Sequence, residues 1–148
     1  MFEERVEFLR SAYDIFNRGD VEPWLALHDE GVVFDLSAAY FYDLEPIYRG
    51  HEGIRAFWQG AHEPFDTFLL EPIEFVEGND GVLVRLVLRV RGAGSGAPAQ
   101  IRIFHVWRFR GGLLWHLEQH GDEDTARRAV GAGAPATGHY PKPDAVER

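Results

Sequence analysis

Residues 82–91 constrain the fold more tightly than any other stretch. The even positions, Val82, Val84, Leu86, Leu88 and Val90, are all apolar, while the odd positions include Arg85, Arg89 and Arg91. Side chains alternate across a strand, so this is a strand with one buried face and one polar face. Two later segments repeat the device. Residues 100–110 set Ile101, Ile103, His105, Trp107 and Phe109 against Arg102, Phe104, Val106 and Arg108; residues 113–121 set Leu113, Trp115, Leu117 and Gln119 against Leu114, His116, Glu118 and His120. Turn signals separate them: Gly78-Asn79-Asp80, the Gly- and Ser-rich 92–97, and Gly111-Gly112. With 65–76, where Pro72 marks an edge or a bulge, they read as a four-stranded antiparallel meander. A strand so patterned must cover its apolar face with something.

The first half supplies the cover. Phe2, Val6, Leu9, Tyr13 and Phe16 recur every three to four residues and predict an amphipathic helix ended by Gly19. Asp20 opens a short helix carrying Trp24, Leu25 and Leu27, and 32–37 reads as a strand. Residues 50–63 return to helical spacing through Ile54, Phe57, Trp58 and Ala61, with Pro64 at the end. The connection 38–49 has no period but holds Tyr40, Phe41, Tyr42 and Tyr48, the composition of a binding loop. Asp122 caps a last helix, Glu123–Val130. Helices followed by a meander make an α+β domain over 1–131, and the Gly-, Ala- and Pro-rich 132–148 reads as a flexible tail.

Composition narrows the function. A net charge of −9 argues against a nucleic-acid or anionic-membrane surface. The absence of cysteine removes disulfides and zinc–thiolate sites. With 14% aromatic residues, a large core or an aromatic-lined cavity is expected. No charged-then-apolar leader opens the sequence, so a cytoplasmic location is the expectation. The polar face keeps Leu83, Val87, Phe104 and Val106, which suggests a homodimer through the outer sheet face.

On the apolar face the polar interruptions are His105 and Gln119. A buried histidine needs a partner, and its unperturbed pKa of roughly 6.5 leaves both protonation states accessible near neutrality. It is either a satisfied core residue or a pocket acid, base or ligand donor. His116, Glu118 and His120 share the other face, but three side chains in line on one strand converge poorly on a metal, so no metal or cofactor is expected. His28 is placed to meet a helix dipole, and His51 and His62 to lie at the surface.

In order, FNRGD, WLALHDEGVVFDL, YRGHEGIRAFW, RIFHVWRFRGG and LEQHGDEDTARRAVG resemble the nuclear transport factor 2-like superfamily and, within it, the SnoaL-like proteins, over residues 2–131. The resemblance implies a cone-shaped, curved antiparallel sheet packed against three N-terminal helices around an apolar pocket. Its families include ketosteroid isomerases, polyketide cyclases and dehydratases. By similarity to the isomerases, Asp35 stands at the general base and His105 at the acid that stabilises an enolate. Their oxyanion tyrosine matches Ala12, with Tyr13 next to it. By similarity to the cyclases, His105 is retained and Gln119 replaces the catalytic aspartate. Strand parity alone turns Asp35 outward; the resemblance turns it inward. Tyr13, Tyr40, Tyr42, Trp58, Trp107 and Gln119 are the candidate ligand contacts. Three readings follow: a cofactor-independent acid/base enzyme on a hydrophobic carbonyl compound, using Asp35 and His105; a non-catalytic pocket for an apolar ligand; or an interaction module with a filled core.

Overall fold

In the computed structural model, which describes residues 1–39 and 44–133, the elements run α1 (Phe2–Arg18), α2 (Val21–Leu25), β1 (His28–Asp35), β2 (Ile47–Arg49), α3 (Gly50–His62), β3 (Phe65–Gly78), β4 (Gly81–Gly92), β5 (Pro98–Arg110), β6 (Leu113–His120) and α4 (Glu123–Val130). The strands form a sheet in the order β2-β1-β6-β5-β4-β3. The meander β3–β6 is antiparallel as the turn signals require. One pairing departs from the expected antiparallel sheet: β1 runs parallel to β6. The helix and strands between them make that crossover geometrically accessible, whereas a tight turn would not. The small strand β2, within a connection that showed no period, pairs with β1 and leads into α3. The tail expected over 132–148 lies, from residue 134, outside the described residues.

The two faces sort largely by parity. Val82, Val84, Leu86, Leu88, Val90, Ile103 and Trp107 join α1, α2 and α3 in the main core. Gly111 and Gly112, with φ of 60° and 79°, make the tight β5–β6 turn that favours glycine. Just beyond it the register slips between Arg108 and Phe109, which turns Leu114 rather than Leu113 into the core. Trp115, expected with the apolar set, instead lies under the Arg110 guanidinium at 4.5 Å from the ring centroid. At Pro72 the β3–β4 register also shifts, and β3 is the sheet edge, so both expectations for that proline hold.

On the opposite face, α4 packs Ala126 and Val130 onto Leu83, Phe104 and Val106. Asp122 caps this helix by accepting from the Thr125 N–H at 3.0 Å. With Val87, the apolar residues expected to meet a second copy are thus already buried within one chain. Arg85 bridges Glu74 and Glu123 on the same face. Among the described residues no helix is long and apolar enough to cross a membrane.

Candidate functional site

Asn17 in the last turn of α1 fixes that helix over the sheet. Its side-chain amide donates to the Leu70 carbonyl at 2.8 Å and accepts from the Leu70 N–H at 2.9 Å, mimicking a strand partner. One turn earlier, Tyr13 points down onto β5. Its hydroxyl lies 2.7 Å from His105 Nδ1, and Trp107 Nε1–H donates to it at 2.8 Å. His105 Nε2 meets Gln119 Oε1 at 3.1 Å, and Gln119 Nε2 donates to the Ala39 carbonyl at 2.7 Å. His105 and Gln119 are direct register partners across β5 and β6, which is why parity placed both on one face.

This chain of bonds has one consistent direction. A carbonyl only accepts, so Ala39 holds the Gln119 nitrogen toward itself and turns Oε1 to the imidazole. His105 must then carry its proton on Nε2, leaving Nδ1 to accept from the Tyr13 O–H. The indole of Trp107, a donor only, agrees with that assignment. Burial lowers the His105 pKa to about 4, against the hydrogen bond to Gln119, so the ring is neutral at pH 7. Burial likewise drives the Tyr13 phenol far above its ordinary value and keeps it protonated.

These groups border a cavity with about 30 Å³ of room for the centres of water-sized molecules. Its lining is otherwise apolar: Ala12, Phe16, Trp24, Phe34, Leu44, Phe57, Phe68, Leu70, Leu88, Ile103 and Leu117. That room suits one or two waters, so a larger guest requires wall side chains to shift. Among the described residues, no carboxylate or permanent cation lines it.

Of the residues singled out from the sequence, Tyr13, Trp107, His105 and Gln119 thus come together. Asp35 does not join them. Its carboxylate accepts from the Ser37 N–H at 2.9 Å and hydroxyl at 2.6 Å, and its neighbours Phe34 and Leu36 hold the core positions. Strand alternation decides the matter against the inward placement. Trp58 is also outside the lining; it stacks on His62 at 4.1 Å, while Phe57, one residue earlier on α3, faces the cavity. Tyr40 and Tyr42 lie outside the described residues. The Tyr48 hydroxyl accepts from the Glu45 N–H at 2.8 Å.

His28 meets the C-terminal end of α2 as expected, but inside the protein: it opens β1, 2% exposed, among Trp24, Phe34 and Trp107. Its Nδ1–H reaches the Trp24 carbonyl at 2.9 Å, and Nε2 has no partner among the described residues. Burial lowers its pKa to about 4. The apolar run Trp24-Leu25-Ala26-Leu27 immediately before it was the available signal. His62, expected at the surface, is half-buried against Phe16 and Phe68. On the outer face, Glu118 is held by His120 at 3.0 Å and Arg108 at 2.9 Å, and no metal-binding group occurs among the described residues.

Helices laid across a curved sheet around a buried histidine define the class: a nuclear transport factor 2-like α+β protein. A crystal structure of TerC co-crystallised with polyporic acid shares 25% identity, covering 84% of this chain and 96% of that one, with a TM-score of 0.70. An NTF2-like protein of unknown function from Burkholderia pseudomallei shares 27% identity over 86% and 97% of the two chains, with a TM-score of 0.69. A Mycobacterium tuberculosis protein in complex with estradiol-17beta-hemisuccinate, 20% identical over 80% of this chain and 94% of that one, has the same fold at a TM-score of 0.67. No curated protein matches the sequence. The SnoaL-like domain model matches residues 9–117, and the chain belongs to the SnoaL-like family.

Proposed function

We propose that the chain binds a small apolar molecule in the cavity between α1, α3 and the sheet, with Tyr13, His105 and Gln119 as its polar end. The observation that carries this reading is the buried hydrogen-bonded chain from Trp107 to Ala39 set in an apolar wall. Five polar groups so aligned fix the orientation of a guest while the wall supplies the hydrophobic stabilisation. The co-crystallised small molecule in TerC supports it. Naphthalene, apolar and without a donor, acceptor or charge, is the first probe: calorimetric titration should show saturable binding that weakens at least tenfold in Leu88→Trp, which fills the cavity. Unchanged affinity in that variant places the guest elsewhere and ends the proposal.

A second reading is acid/base chemistry, favoured by the 2.7 Å contact between the Tyr13 hydroxyl and the neutral His105. A neutral imidazole can take a proton and a phenol can return one. Asp35 has no part in it from where it stands. The test is exchange of deuterium from solvent at the carbon beside the carbonyl of a bound ketone, followed by NMR. Exchange at the uncatalysed rate leaves binding as the function.

A further inference from the structure

We propose, resting on the reading that the cavity binds a small molecule, that its ligand is an uncharged alcohol or phenol which donates a hydrogen bond inside, rather than a carbonyl compound or an acid. The direction of the internal chain decides this. Every donor along it is already engaged save one: Trp107 Nε1–H on Tyr13, the Tyr13 O–H on His105, His105 Nε2–H on Gln119, and one Gln119 N–H on Ala39. What remains toward a guest is a lone pair on Tyr13 Oη, a lone pair on Gln119 Oε1 and a single Gln119 N–H. Behind the wall His28 repeats the polarity, its Nδ1–H engaged by Trp24 and its Nε2 lone pair unpartnered among the described residues. The polar end is therefore rich in acceptors.

Reversing the chain to free the Tyr13 proton has a specific obstacle. His105 would then need its proton on Nδ1, and Gln119 would need to present its nitrogen to Nε2. That turns Oε1 onto the Ala39 carbonyl oxygen, two acceptors face to face. An anion fares worse, meeting lone pairs with no cation in the described lining. A hydroxyl group satisfies an existing lone pair and disturbs nothing.

Two probes of similar shape and opposite polarity test it: 2-naphthol, a donor, and 2-naphthaldehyde, an acceptor only, titrated calorimetrically against the full chain at pH 7. Naphthol should bind about tenfold tighter, because its hydroxyl donates to a lone pair and also accepts from the free Gln119 N–H, whereas the aldehyde can use that N–H alone. In Tyr13→Phe the His105 Nδ1 lone pair takes the place of the lost Oη lone pair while the Trp107 N–H becomes free for an acceptor, so the preference should narrow. Gln119→Met takes away the Oε1 lone pair and releases the His105 Nε2–H into the cavity, so it should likewise narrow or reverse the preference, and it serves if Tyr13→Phe does not fold. Equal binding of both probes to the wild-type protein overturns the donor assignment and leaves the binding reading intact. If neither probe binds and naphthalene does not either, the binding reading fails and this inference with it.

Discussion

Two residues show how far single positions could be read. His105 emerged from parity alone, as a polar group on an apolar face, and it occupies the centre of the buried network. Asp35 was drawn inward only by resemblance, and the alternation Phe34–Asp35–Leu36 holds it outside. Local backbone geometry thus outweighed a likeness in motif, because a one-residue turn of the strand would bury a carboxylate and expose two apolar side chains. Asp35→Asn is accordingly expected to leave ligand affinity unchanged within about twofold, as for surface substitutions, measured by the same titration. A loss of binding beyond that would mean the carboxylate reaches the cavity. Tyr13→Phe should behave oppositely. It strands both the Trp107 N–H and the His105 Nδ1 lone pair, so urea unfolding should report a loss of about 1–3 kcal/mol. A neutral substitution would show that the hydroxyl is not the junction of the network. The partnering of Tyr13 with both was not legible, since nothing in a sequence states which turn of a helix meets which strand pair.

At the scale of elements, periodicity located the helices and the long strands, and it failed where the ladder is irregular. The bulge after the β5–β6 turn shifts Leu114 into the core and Trp115 out, because an extra residue inverts every later side chain until another irregularity restores the phase. The composition of 113–115 is apolar on both parities, so no pattern marks the slip. The docking of α4 was equally hidden. Its amphipathic face could be read, but its target could not. That docking rests on a close approach: the Val130 carbonyl accepts from Asp80 N–H at 2.9 Å, and a Cβ built on Gly78 would lie 2.3 Å from the same oxygen. Gly78→Ala should therefore push the end of α4 off the sheet and uncover Val106, Phe104 and Leu83. Hydrogen exchange should accelerate across α4 and the facing β4–β5 amides, with the α1 amides protected as before. Uniform acceleration throughout would show that α4 is not a separable unit but part of one cooperative fold.

At the scale of the whole molecule, the buried neutral rings of His28 and His105 couple stability to pH. His28 and His105 each have a folded pKa of about 4, lowered by burial from the ordinary 6.5. Below pH 6.5 the unfolded chain takes up protons at these rings while the folded chain does not, so protonation favours unfolding. The stabilisation is complete above pH 6.5 and is lost as pH falls toward 4, each ring contributing on the order of 3 kcal/mol across that window. Glu118 acts in a different range. The hydrogen bond from His120 leads the effects that lower its carboxyl to about 2, so its contribution fades between pH 4.5 and 2. Acid unfolding should consequently begin near pH 6, well before Glu118 titrates. His28→Phe keeps an aromatic ring among Trp24, Phe34 and Trp107 while removing one titrating site, and it should lower the slope of unfolding free energy between pH 6 and 4.5, leaving the share of His105, His62 and His116. Ligand sharpens the same measurement. An alcohol bound beside His105 deepens the burial of a ring that must stay neutral, so saturating 2-naphthol should move the onset of acid unfolding to lower pH in the wild type. The same shift should survive in His28→Phe, because His28 lies behind the wall rather than on it. A flat stability profile from pH 7 to 4.5 would mean that both rings are solvated in the folded protein, and with that the buried chain from Trp107 to Ala39 would lose its role as the organiser of the cavity.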